Sequence, residues 1–263
     1  MDFTLSTYRQ LLSTLKNLGY VFVTFADYCD GRVASTHEKF VILRHDVDAR
    51  PENSLRVAQL EVEIGARASY YFRVGAESNQ PEIIKQIAAL GHEIGYHYED
   101  LSLCHGNVAA AQEHFAEWLR YFRQFYPVRT ICMHGAPRSQ YDGRALWQSC
   151  SYRSFGIVGE PYFDVDFGDV FYLTDTGRRW DGYKVSLRDK IPVHQEQWTQ
   201  RGWVYRHTGD IIAAAEQGTL PPHIMMTTHP QRWTDNRTAW LKELSLQHAK
   251  NCVKRLIVMS KNR

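Results

Sequence analysis

Short apolar runs alternate with helical periods along almost the whole chain, and this alternation most restricts what the chain can fold into. Leu5, Tyr8, Leu12 and Leu15 share one helical face, and Tyr20–Phe25 reads as the strand that follows. Phe40–Leu43 is an apolar strand; Pro51–Gly65 follows as a helix, with Leu55, Ala58 and Val62 on one face and Gly65 as its stop. The same unit recurs with Ala68–Val74 before Pro81–Leu90, with Glu93–Tyr98 before the long period Val108–Phe122, and with Arg129–Met133 before a short helix near Ala145. Ile83, Ile84, Ile87 and Leu90 should form the buried stripe of the second of these helices. The order blurs up to about Tyr205, where several strands are expected, before Ile224–Thr228 and a terminal helix over Thr238–Leu256. Strands separated by helices predict a parallel sheet covered on its faces, and the number of units favours a barrel. No Pro, Gly or Ser-rich linker divides the 263 residues, so one domain is expected.

Composition removes several function classes. A formal net charge of +2 without blocks of like charge gives no footprint for nucleic acid. No apolar run approaches the roughly 20 residues of a membrane span, and the N-terminal residues lack a basic segment followed by an apolar one, so a cytoplasmic protein is expected. Five cysteines without a C-x-x-C read as free, mostly buried thiols. There is no glycine-rich phosphate loop and no G-x-S-x-G elbow, which removes the main support for nucleotide-cofactor redox chemistry and for serine hydrolysis.

In a parallel barrel the chemistry sits where strands end, and four strand ends here are unusually polar. In Arg44-His45-Asp46-Val47-Asp48, alternation turns Arg44, Asp46 and Asp48 to one face; two carboxylates so close call for a metal ion or for Arg44 between them. Alone, Asp48 is better read as a cap of the helix begun at Pro51. The second end, His92-Glu93-Ile94-Gly95-Tyr96-His97, looks like a zinc-protease motif, but histidines five apart on a helix lie roughly 140° from one face. On a strand, Glu93, Gly95, His97 and Glu99 share a face, with Gly95 leaving room beside His97. The other two ends run from apolar strands straight into His134 and His229. Each histidine alone is better read as a satisfied core residue; the convergence of Asp, Asp, His, His and His on four strand ends outweighs those separate readings.

These residues resemble the NodB-homology polysaccharide deacetylases, carbohydrate esterase family 4, over about residues 38 to 233. The resemblance implies a distorted (β/α)7 barrel and metal-dependent removal of acyl groups from sugars, commonly with zinc. Asp46 matches the family's base in its first motif, while the metal-ligand Asp is displaced by one residue to Asp48. The approach Gly91–Tyr96 to His97 reproduces the second motif, but Leu101 stands where its second metal histidine belongs. His134-Gly135-Ala136-Pro137 corresponds best to the third motif. His229 takes the general-acid place of the last, and Asp175 or Asp181, beside Trp180, could serve as the fourth. The implied metal ligands are Asp48, His97 and His134, with Glu99 and His105 as rivals for the third place. Arg44, Glu99, Arg138, Arg232 and Trp233 are the expected substrate contacts, and Tyr98, Trp180 and Trp233 the rings on which a sugar could stack. The expected substrate is an amino sugar, free or in a saccharide, in surface-polysaccharide (O-antigen or capsule) assembly. The rival functions are deformylation of a lipid- or nucleotide-linked sugar, and a catalytically dead relative that binds carbohydrate or a partner protein.

Overall fold

The computed structural model describes residues 1–33, 37–136, 139–184, 186 and 189–261. Seven strands, β1 (Val21–Val23), β2 (Phe40–Val47), β3 (Ser69–Phe72), β4 (Glu93–Tyr98), β5 (Ile131–Met133), β6 (Phe171–Thr174) and β7 (His223–Thr228), form one sheet. All pair in parallel, in the order β5-β4-β3-β2-β7-β6. The last strand therefore returns to lie beside β2, which is the circular order of a (β/α) barrel with a single break between β5 and β6. β1 is a short accessory: it pairs with Phe40–Ile42 on the edge where β3 takes over from Arg44 onward.

The break is partly covered. Gly159 bridges Thr130, and the Met133 N–H donates to Glu160 Oε1 at 3.0 Å, so a carboxylate accepts where a neighbouring strand would have offered a carbonyl. Burial pushes Glu160 up to about 7, partly countered by the Met133 N–H and by Arg44. The sheet is curled rather than flat: Cys132 of β5 and Tyr172 of β6, at opposite ends of the strand path, both act electrostatically on Arg44 of β2. The structure is a distorted, incompletely closed (β/α) barrel.

Local sequence explains the elements. Pro51 opens the helix Pro51–Ile64, and Gly65, at φ +75°, closes it in a left-handed conformation that costs glycine nothing. Ile84 and Ile87 are fully buried under the helix Pro81–Ala89, while Ile83 and Leu90 pack half-buried beside them. β1 stops at Val23 because Thr24 caps a new helix, Phe25–Cys29, in a reciprocal pair with Asp27. Among the described residues between Ala145 and Tyr205 the several expected strands reduce to β6, and the helix near Ala145 is a 3-10 turn, Gly143–Trp147. Gly95 gives space to the Tyr71 ring rather than to His97: a Cβ there would lie 2.3 Å from that ring. Of the four cysteines whose side chains are described, only Cys132 is fully buried.

The outer face of β2 carries a polar cluster. Glu61, fully buried on the helix Pro51–Ile64, accepts from the hydroxyls of Tyr8 and Tyr70, each at 2.6 Å, and lies 2.7 Å from His45 Nε2. His45 Nδ1 lies 2.6 Å from the Thr228 hydroxyl. The cluster binds two helices to β2, β3 and β7 on the side away from the strand-end residues, and its members satisfy the buried carboxylate.

Candidate functional site

β2 is buried on both faces, so even its polar end, Arg44-His45-Asp46, is sequestered. Arg44 and Asp46 share a face as alternation requires, and the guanidinium takes both carboxylate oxygens: Nε to Oδ1 at 2.8 Å and Nη2 to Oδ2 at 2.6 Å. Burial works to raise the Asp46 pKa, but Arg44 and His97 outweigh it and hold the carboxyl far below its ordinary range. Just beyond the strand, the Asp48 N–H donates to the Asp46 carbonyl in a turn, and its side chain enters a ring of imidazoles. His97 Nε2 lies 3.7 Å from Asp48 Oδ1, His134 Nε2 3.6 Å from the same oxygen, and His229 Nε2 3.8 Å from Oδ2. Asp48, too, is held below its ordinary range: burial opposes ionisation, and His134, His229 and His97 together prevail.

Each imidazole is aimed by its other nitrogen. His97 Nδ1 is 2.9 Å from the Cys132 carbonyl oxygen, and burial, with His134 and against the pull of Asp46, lowers this histidine to about 4. It stays neutral at any ordinary pH. His134 is carried to the same place because its N–H extends the β4–β5 ladder to the Tyr98 carbonyl. Its Nδ1 lies 2.8 Å from Glu99 Oε2, while Arg73 Nε holds Oε1 at 2.8 Å. Burial would raise Glu99, yet His134 and then Arg73 bring it down to about 2. His229 Nδ1 lies 2.6 Å from Asp175 Oδ1, and its N–H donates to Oδ2 at 3.0 Å. Burial and Arg232 push His229 down, and Asp175 with Asp48 reverses this, leaving it above its ordinary value.

Asp48, His97 and His134 each offer one ligand atom, and all three atoms lie within 4.8 Å of one another. Two ligands about 2.1 Å from one tetrahedral ion stand roughly 3.4 Å apart, close to the separations quoted above. Asp48 Oδ1 is buried and has no hydrogen-bond partner among the described residues. An ionised oxygen left bare between two imidazole nitrogens whose other nitrogens are already engaged is what a divalent cation would satisfy. The donor set fits such an ion. Of the rivals for the third place, Glu99 is committed to His134 and Arg73, and His105 sits exposed in a turn outside the cluster.

Several expected substrate contacts are built into the frame instead. Arg44 is 1% exposed and spent on Asp46, with the Tyr162 ring 5.5 Å away. Arg232 pairs with Asp175, donating to its carboxylate and, at 3.0 Å, to its carbonyl. Trp233, 1% exposed, donates from Nε1 to Asp175 Oδ2 at 2.8 Å. Tyr98 and Trp180 are likewise core rings, so none of the three expected aromatics offers a face to a sugar. Pro137 and Arg138 lie outside the described residues. Asp175, not Asp181, partners His229; Asp181 is bound to Arg179.

Sequence reasoning missed Gln231 and Arg73. Gln231 is nearly buried, with Nε2 3.4 Å from Asp48 Oδ2 and Oε1 unpartnered among the described residues. Its only signal was its place two residues after His229. Arg73, one residue past β3, carried none, since a single arginine after a strand is ordinary.

No family model matches the chain, and no curated protein matches it. Among solved structures it is similar to a mutant of a CE4 family pseudoenzyme, with a TM-score of 0.41 and 12% identity over 81% of this chain; it spans 63% of that structure's length. It is also similar to a 2,3-dimethylmalate lyase of the PEP mutase/isocitrate lyase superfamily, with a TM-score of 0.30 and 10% identity over 97% of this chain and 88% of the other. The barrel assignment rests on the strand order. No helix among the described residues is long and apolar enough to cross a membrane.

Proposed function

We propose that this chain is a metal-dependent hydrolase that removes an N-acyl group from an amino sugar. The observation that carries the reading is the bare, buried Asp48 Oδ1 facing the Nε2 atoms of His97 and His134. Asp48, His97 and His134 would hold the ion, for which zinc suits the carboxylate and imidazole donors. When bound, such an ion lowers the pKa of a coordinated water from 15.7 toward ~7 and polarises the acyl carbonyl.

The remaining roles fall to residues whose protonation is set by their neighbours. Asp46 stays ionised at every working pH and is the proton acceptor for the attacking water, oriented by Arg44. A strongly paired carboxylate is a weak base, so a water acidified beforehand is the right partner for it. His229, with Nδ1 fixed on Asp175 and its pKa raised by Asp175 and Asp48, is the group that delivers a proton from Nε2 to the departing amine. Glu99 and Cys132, through its carbonyl, keep His134 and His97 in the tautomer that leaves Nε2 free.

The test is metal analysis of protein purified without chelator or nickel resin, together with the variant Asp48→Asn. We expect about one divalent ion per chain, loss of that ion in the variant, and acetate release from N-acetylated amino sugars by the loaded protein. Absence of any ion after reconstitution with zinc, cobalt or manganese would refute the reading and leave a carbohydrate-binding relative without catalysis. A bound ion with no release of acetate, formate or another acyl group would confine the proposal to metal binding.

A further inference from the structure

A second polar site lies behind Asp175. The loop after β6 runs through Gly177 and Arg178 and packs against the C-terminal helix Arg237–Lys261, where Asn251 Nδ2 donates to the Gly177 carbonyl at 3.0 Å. Between them is a groove of about 430 Å³, lined in part by Phe3, Arg178, Arg206, His207, Trp240 and His248.

Arg178 is the anomaly there. It is 9% exposed, and its Nε and Nη2 are buried with no hydrogen-bond partner among the described residues. Its one side-chain hydrogen bond among the described residues is a long one from Nη1 to the Arg232 carbonyl, at 3.4 Å. The guanidinium is held between two rings, 5.2 Å from the centroid of Phe3 and 4.9 Å from that of Trp240. The backbone is at φ +55°, a left-handed conformation that residues with a Cβ adopt at a cost. A guanidinium does not shed its proton, so an unpaired fork in a buried setting asks for an anion.

The neighbouring carboxylates do not fill that need. Asp2 is occupied by the N–H and hydroxyl of Thr208, and Asp175 by His229, Arg232 and Trp233. Glu243 acts on Arg178 electrostatically without a hydrogen bond to it among the described residues, and lies 3.7 Å from Arg50. Exposed Arg206, His207 and His248 add donors around the groove.

We propose that this groove is an oxyanion site that takes a phosphate group, with the Arg178 guanidinium as the fixed positive charge in its wall and Arg206 as its outer donor. The two flanking rings hold this uncompensated charge in place beforehand, so an anion in the groove meets a pre-positioned cation. The site is distinct from the Asp48 cluster and binds whether or not the chain is a hydrolase. It adjoins that cluster through Arg232, which donates to Asp175, the partner of His229. A phosphate carried by a sugar substrate and free inorganic phosphate present the same chemistry to it.

Calorimetric titration of the full chain with inorganic phosphate tests this, using Arg178→Met and Arg206→Gln. Methionine keeps an apolar stem between the rings and removes the charge. We expect the wild type to bind phosphate with a Kd of about 1 mM or tighter, Arg178→Met to lose at least about tenfold in affinity, and Arg206→Gln to lose less. Without phosphate, Arg178→Met should unfold at the same temperature as the wild type or higher, because a buried unpaired charge has been removed. Undiminished phosphate binding by Arg178→Met would overturn the proposal, as would no saturable binding by the wild type. So would a destabilised Arg178→Met together with an Arg206→Gln that binds like the wild type, since Arg178 would then be a structural residue. A monosaccharide phosphate that binds about tenfold tighter than inorganic phosphate assigns the anion to the substrate; equal affinities assign it to the free ion.

Discussion

Asp175→Asn is the substitution that most sharply tests how the His229 side of the site is built. Asp175 is fully buried and accepts from four donors: Nδ1 of His229 and Nη1 of Arg232 at Oδ1, and the His229 N–H and Trp233 Nε1 at Oδ2. Asparagine has nearly the same shape but only one acceptor oxygen, so whichever way the amide turns, its NH2 faces two donors. Two hydrogen bonds are lost, and Arg232 is left without its countercharge. Burial works to raise the Asp175 pKa, yet Arg232 and His229 bring it down to about 2 from 3.8, a difference worth about 2 kcal/mol of native-state stability at neutral pH. Breaking a buried pair by removing one partner runs to about 3–5 kcal/mol, so urea unfolding at pH 7 should show a loss of roughly 2–5 kcal/mol. A second readout separates positioning from mere stability. With Asp175 gone, burial and Arg232 act on His229 with the more distant Asp48 and Asp46 left to oppose them, so the His229 pKa should fall and the alkaline limb of any activity profile should move to lower pH. NMR titration of the His229 ring measures this in the folded variant. A stability loss below about 1 kcal/mol with an unchanged His229 titration would refute the claim that Asp175 sets this histidine's proton.

Three further outcomes follow from the same geometry. Asp46→Asn should retain the metal and lose about 10²- to 10⁴-fold in turnover, because it removes the proton acceptor and not a ligand; loss of metal in this variant would mean that the roles of Asp46 and Asp48 are shared. Glu99→Gln should weaken metal binding about 10- to 100-fold by releasing His134 Nδ1, measured by competition with a chromogenic chelator, and an unchanged affinity would remove Glu99 from the site. Ile87→Ala should cost about 2–5 kcal/mol in chemical unfolding, since Ile87 is fully buried against the barrel, and a value near zero would contradict that packing.

The barrel was legible because its parallel strands are buried on both faces and therefore read as short continuous apolar runs, each followed by a helical period. The stretch after β5 was not, because its order rests on side chains rather than on periodic burial. Glu160 stands in for a strand carbonyl, and Asp189 gathers Tyr172 and Thr174 without any run of apolar residues to announce it. Strand ends pointed to Asp46, Asp48, His97, His134 and His229 as one group because alternation and strand termini are local rules. What those rules cannot say is whether a polar or aromatic side chain beside the group faces the cleft or supports it. Arg232 and Trp233 follow His229 at a strand end and so looked like surface contacts, yet both turn back onto Asp175, a carboxylate 54 residues earlier than His229 in the chain. Glu61 escaped notice for the opposite reason: a charged residue on an amphipathic helix reads as solvent-facing, and only the approach of Tyr8, His45 and Tyr70 makes its burial tolerable.

The departure at Leu101 becomes intelligible in the same terms. A histidine four residues after His97 would have to come from the short helix Asp100–Leu103, but here Leu101 is buried at 3% exposure and Asp100 is bound to Tyr96 and His114. Ser102 is bonded to Ser139, and Leu103 is exposed, so the other two side chains of the helix are placed elsewhere as well. The neighbouring strand offers an alternative: the bond from the His134 N–H to the Tyr98 carbonyl carries the β4–β5 ladder one step past the strand ends, beside Glu99. In the proposed reading, the third ligand comes from the end of β5 instead of from the turn after β4, and Glu99 serves to aim it. That exchange makes a specific demand: Glu99 and His134 act as a unit. Replacing both should weaken metal binding little more than replacing His134 alone, because an orienting carboxylate has nothing left to orient. Additive losses would place Glu99 on the ion itself.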